Sequence, residues 1–199
     1  MTSSIRLAFA VLAGLTMAAS NQAQAAPQTI LVTNESGQAL PAAAVSMFVK
    51  GTRAQTDPQT TANMAQRGRA FAPTLLVIQT GTSVLFPNFD TVRHHVYSFS
   101  AIKPFEIKLY AGTPAAPVVF DKPGTATLGC NIHDKMLSYI HVVDTPYFGV
   151  TDRNGQVTLD IPPGEHRLRV WMPSMGETNP GIEQVIKVSG QPLTARIRP

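Results

Sequence analysis

After residue 25, no stretch of this chain keeps apolar side chains on a 3.6-residue repeat; short runs rich in Val, Ile, Thr and Phe are instead cut apart by Pro and Gly. A chain without an amphipathic helical face must build its core from strands, whose side chains alternate between two faces. The 16 prolines and 14 glycines do the cutting. Pro removes a ladder donor, and Gly takes the positive φ that tight turns need. Strands are expected over residues 29–33, 44–49, 74–79, 83–87, 95–99, 105–109, 118–120, 124–128, 139–143, 156–160, 166–171 and 183–188. Residues 52–68 are polar, and a loop or a short helix is expected there. The fold class is all-β, and strands that bury one face against a second sheet make sandwiches.

The start of the chain has a separate pattern. Arg6 precedes an apolar run over residues 7–19, and Ala23-Gln24-Ala25 gives a small-x-small cleavage signal. This predicts a signal peptide over residues 1–25 and a mature protein that begins at Ala26, exported to the periplasm of a Gram-negative-type envelope. The run is shorter than the roughly 20 residues of a spanning helix, and no later stretch qualifies. Losing Arg6 leaves 15 basic and 12 acidic residues, a net charge of +3. No Lys/Arg stripe interleaved with aromatics is present, which argues against nucleic-acid binding.

An exported chain with one cysteine cannot make an internal disulfide, so the thiol needs another protection, by burial or by a metal. That cysteine stands in Cys130-Asn131-Ile132-His133-Asp134-Lys135-Met136, which puts a thiolate, an imidazole and a thioether within seven residues. A mononuclear type 1 (blue) copper site takes one thiolate and two imidazoles in a plane, with a weak axial Met. His94 or His95 can supply the second imidazole. Successive strand side chains face opposite ways, so only one of the two can point into the site. Met136 as axial ligand competes with Met64 and with simple core packing. The remaining histidines, His141 and His166, are expected to be structural or exposed. Five histidines in all do not suffice for the extra clusters of multicopper oxidases or copper nitrite reductases, so the chain is read as a non-enzyme.

The run Phe86-Pro87-Asn88-Phe89-Asp90-Thr91-Val92-Arg93-His94-His95-Val96, followed by the block from Phe120 through Pro123-Gly124 to Cys130-x2-His133-x2-Met136, resembles the cupredoxins, with amicyanin and plastocyanin as the nearest pattern. It is also similar to a broader set of exported bacterial proteins described as methylamine-utilisation-like. The resemblance implies a Greek-key β-sandwich over residues 70–144. It also implies one copper ion held by His94, Cys130, His133 and Met136. Aligning the family's His-Asn-Val with His94-His95-Val96 puts His94 in the ligand position and His95 where the family has a bracing Asn. In the cupredoxin pattern His133 reaches the surface, and an apolar docking patch of Ile132, Leu137, Pro87 and Phe89 would surround it.

The flanks carry a second resemblance. Residues 31–40 and 43–47, and later residues 151–159 and 161–170 with Asn154-Gly155 and Pro163-Gly164 turns, look like the two parts of a small carboxypeptidase-regulatory (transthyretin-like) sandwich. Residues 26–69 and 145–199 would form it around the inserted copper domain. The function these readings imply is one-electron transport between redox proteins, a cytochrome or a dehydrogenase, docking near His133. The alternatives are a cell-envelope protein that binds or delivers copper without turning over electrons, and a non-redox adhesion module. The sequence leaves the oligomeric state unknown.

Overall fold

A computed structural model of the chain describes residues 24–52, 56–114 and 116–198. Residues 1–23, which carry most of the expected signal peptide, lie outside these. Among the described residues no helix is long and apolar enough to cross a membrane. The structure is built of strands, with one 3-10 turn at Pro173–Met175 and no α-helix among the described residues.

The middle of the chain makes two facing sheets. One has five strands in the order β6 (Leu75–Gln79), β12 (Leu137–Val143), β11 (Gly124–Gly129), β8 (His94–Ser98) and β9 (Phe105–Tyr110). The other has three, β10 (Val118–Phe120), β7 (Thr82–Leu85) and β3 (Thr61–Asn63). Val96, Leu128, Ile140 and Val142 from the first meet Val84 and Phe120 from the second in one buried cluster, which also holds Met64, Phe71, Phe86, Cys130 and Met136. A two-stranded ribbon, β4 (Ala65–Gln66) with β5 (Phe71–Ala72), closes beside them. The polar stretch 52–68 was expected to be a loop or helix; its described part instead contributes β3 and β4. Such short strands leave no readable alternation, and packing rather than period decides them.

The flanks of the chain make a second pair of sheets. Strands β14 (Gln156–Ile161), β1 (Ala26–Thr33) and β17 (Leu193–Arg196) form one, and β13 (Tyr147–Val150), β2 (Ala44–Phe48), β15 (Gly164–Trp171) and β16 (Ile182–Val188) the other. Their alternation is clean: in β14, Val157, Leu159 and Ile161 point inward while Gln156, Thr158 and Asp160 face water. These three join Ile30, Val32, Val45, Met47, Leu168 and Val170 in a separate core. The Asn154-Gly155 turn needs its glycine, because at φ +72 an added Cβ would lie 2.8 Å from the Val32 carbonyl oxygen.

A third, smaller cluster lies where the two pairs of sheets meet. Ala44 and Trp171 come from the flanking strands, and Leu75, Val77 and Val143 from the five-stranded sheet. This explains why β12 is buried on both faces, with Ile140 and Val142 turned to the central core and His141 and Val143 turned to the flank. His141 stacks on Trp171 at 4.8 Å between ring centres and 9° between planes.

Candidate metal centre

Strand pairing brings the candidate ligands to one end of the five-stranded sheet. β11 and β12 are antiparallel neighbours whose last pair is Gly129↔Leu137, so residues 130–136 form the tip of a hairpin. That tip carries Cys130, His133 and Met136. β8 runs antiparallel to β11 and pairs with it at Gly129↔Tyr97, which sets the start of β8, where His94 stands, beside the end of β11. The tip is closed by its own backbone, with Met136 N donating to His133 O at 2.9 Å and Leu137 N to Lys135 O at 3.1 Å.

Donor atoms of His94, Cys130 and His133 all lie within 4.8 Å of one another, the one such group of three among the described residues. Cys130 Sγ is 3.8 Å from His133 Nδ1, and the rings of His94 and His133 are 4.9 Å apart. His94 and Cys130 are buried and His133 is half-buried. Met136 is also buried, in the same cluster as Cys130.

His94 is fixed from outside. Its Nε2 lies 2.8 Å from Asp90 Oδ2, and the same carboxylate accepts the backbone N–H of Gly68 at 2.6 Å and of Arg69 at 2.9 Å. Gly68 and Arg69 both have positive φ, 63° and 58°, which turns two successive N–H groups toward one anion. The Arg69 N–H, with help from His94 and Gly68, holds the Asp90 carboxyl below its usual range against the opposing effect of burial. An ionised carboxylate only accepts, so Nε2 is the donor, and in the neutral imidazole that a metal binds the lone pair is on Nδ1. That Nδ1 is buried and has no hydrogen-bond partner. A buried orphan imidazole nitrogen beside a thiol and a second imidazole fits the donor set of a thiolate-loving metal such as copper.

His95 goes the other way. It is buried, with Nε2 2.8 Å from Glu106 Oε1, and its ring is 5.6 Å from that of Tyr97. A bulge lies here: His94 pairs with Tyr110 and Val96 with Ile107, so Lys108 and Leu109 together face His95. The Nδ1 atoms of His95 and His166 are also unpartnered. Neither stands with Cys130 and His133.

Side-chain hydrogen bonds brace the loop that leads into His94. Asn88 is buried, donates through Nδ2 to Val92 O at 2.9 Å and Tyr110 O at 3.1 Å, and accepts from Asp90 N at 2.9 Å, tying down the loop that carries Asp90. The Tyr110 hydroxyl, with one proton to donate, lies 2.6 Å from Gln66 Oε1 and 2.8 Å from Phe86 O. Burial, against the Gln66 hydrogen bond and with the nearby Cys130 adding to it, pushes the Tyr110 phenol up to about 12. No motif marks Gln66 or Tyr110 in the sequence; the His94↔Tyr110 strand pairing in the fold brings Tyr110 to the site. Of the expected docking patch, Phe89, Ile132 and Leu137 are 59%, 48% and 54% exposed. Pro87 is buried, a correction: the backbone there joins a ladder, Gln66 N donating to Pro87 O at 2.8 Å.

A scan against protein-family models gives no match, and neither does a search of curated proteins. Among solved structures, a reduced amicyanin variant is 13% identical, with 50% of this chain and 98% of that one covered and a TM-score of 0.39. A purple cupredoxin from Nitrosopumilus maritimus is 20% identical over 43% of this chain and 100% of its own, at a TM-score of 0.36. A copper-containing nitrite reductase from Thermus scotoductus SA-01 is 26% identical over 50% of this chain but 25% of the reductase, at 0.39. These are likenesses over about half the chain; the all-β fold and the His94, Cys130 and His133 group rest on this chain's own strands and distances.

Proposed function

We propose that this chain is an exported type 1 copper protein that carries one electron at a time between redox partners, with His94, Cys130, His133 and Met136 as ligands, and that it is a carrier rather than an enzyme. The observation that carries this is the convergence of a buried thiol with two imidazoles, one of them held in the Nδ1-acceptor form by Asp90. Copper bound there would supply a one-electron couple. The chain's own part is to hold the donors still. Cys130 is anchored at the end of β11 and His94 at the start of β8, in a hydrogen-bonded sheet, so the donor positions need not change when charge does. His133 is the half-exposed member and offers the edge through which a partner couples to the site. Met136 shares the hairpin tip with Cys130 and His133, and this placement, which Met64 lacks, favours its thioether as the weak fourth donor.

Voltammetry of the copper-loaded protein tests this. A carrier gives a reversible one-electron wave with fast electrode exchange. A folded, copper-loaded protein that shows no reversible wave, and instead passes its copper to a chelating acceptor, overturns the carrier reading in favour of delivery.

A further inference from the structure

The metal-bearing end of the molecule combines an apolar centre with a basic rim. Ile132 and Phe89 are large, exposed and close to ligands in the chain. Arg67 stacks on Phe89, its guanidinium 4.7 Å from the ring centre. Arg69 follows Gly68 in the turn that clasps Asp90, and Arg93 directly precedes His94. Lys135 directly precedes Met136, and Lys108 lines the same depression as Ile132. All five cations are exposed, and among the described residues none makes an ion pair. The acids at this end are fewer and mostly committed. Asp90 is bound to His94 and two backbone N–H groups, Glu106 to His95, and only Asp134 is free of a partner of this kind.

We infer that this end is the docking face for an acidic protein partner, one that meets the apolar centre with apolar side chains and the rim with carboxylates. This rests on the electron-carrier reading and adds the partner's charge to it. Unpaired surface cations around a small apolar patch steer an anionic partner and contribute more to encounter rate and orientation than to affinity. The step itself transfers one electron and nothing else: the reduced protein loses it, a ferric haem gains it and becomes ferrous, and no proton or bond moves.

The test mixes the reduced, copper-loaded protein with two small ferric c-type cytochromes, one acidic and one basic, and follows haem reduction by stopped flow. The acidic cytochrome is expected to react faster, with a second-order rate that falls about tenfold or more between low salt and 0.5 M NaCl. Lys108→Glu with Lys135→Glu is expected to lower that rate by a similar factor. Lys122→Glu serves as control, because Lys122 precedes β11 and so lies at the opposite end of that strand from Cys130. It should change the rate less than twofold. The proposal is overturned if the acidic rate ignores salt, if the basic cytochrome reacts faster, or if Lys122→Glu slows the reaction as much as the rim variants. It is also overturned if the protein binds phosphatidylglycerol vesicles more tightly than the acidic cytochrome, which would make the rim a lipid contact. Failure of the carrier reading is distinct: neither cytochrome is then reduced.

Discussion

Acid should loosen the joint between the two pairs of sheets through one residue, His141. It is buried, shares a 2.8 Å hydrogen bond with Thr125 Oγ1 and lies flat on Trp171, with the Arg169 guanidinium as the nearby charge. Burial first, and then Arg169, press its pKa from 6.5 down to about 4. Above pH 6.5 the imidazole is neutral folded and unfolded, and stability does not depend on it. Between 6.5 and about 4 the unfolded chain binds a proton that the folded chain refuses, so stability falls as pH falls; below about 4 the loss levels off. At 1.36 kcal/mol per pH unit, the full loss is about 3 kcal/mol, of which about 2 is reached by pH 5. Urea unfolding of the metal-free protein from pH 7.5 to 4.5, followed by Trp171 fluorescence, measures it. His141→Asn lowers the level at every pH but should flatten this slope. Equal slopes for the two proteins would refute the reasoning and place the acid sensitivity elsewhere.

Two further substitutions probe the site. Asp90→Asn takes the anionic acceptor from His94 Nε2, and copper(II) affinity should drop about 10–100-fold with a higher reduction potential; competition against a chelator with unchanged affinity would contradict the role given to Asp90. Gly129→Ala places a Cβ 2.5 Å from Tyr97 Cζ, and should cost about 1–3 kcal/mol in urea unfolding. Much of that loss should vanish when Tyr97 is shortened to Ala in the same chain, and an additive double variant would show that Tyr97 is not what the new methyl meets.

The sequence carries the strands because most of them are long enough to alternate or to stand between clear breaks. β14 and β16 alternate throughout, and each of the twelve expected runs has a counterpart within three residues at each end. The spacing Cys130-x2-His133-x2-Met136 is legible as chemistry because a hairpin tip holds it together without help from the rest of the fold. What was not legible depends on distant partners. Thr61–Asn63 and Ala65–Gln66 are too short to show a period, yet Met64 and Gln66 are fully buried. The Tyr110 to Gln66 bond spans 44 positions, and the His141 stack on Trp171 joins two different pairs of sheets. Pro87, expected in the docking patch, is buried, and its carbonyl accepts from Gln66 N, 21 positions earlier in the chain.

The central claim is that Cys130 is a metal ligand and not merely a buried thiol. The visible spectrum of the protein loaded with one equivalent of copper(II) tests it most directly. An intense thiolate-to-copper band is expected, lost in Cys130→Ser and in His94→Ala, and kept in His95→Ala, whose imidazole is turned to Glu106. A folded, copper-loaded protein without that band contradicts the account, and so does a band that survives Cys130→Ser.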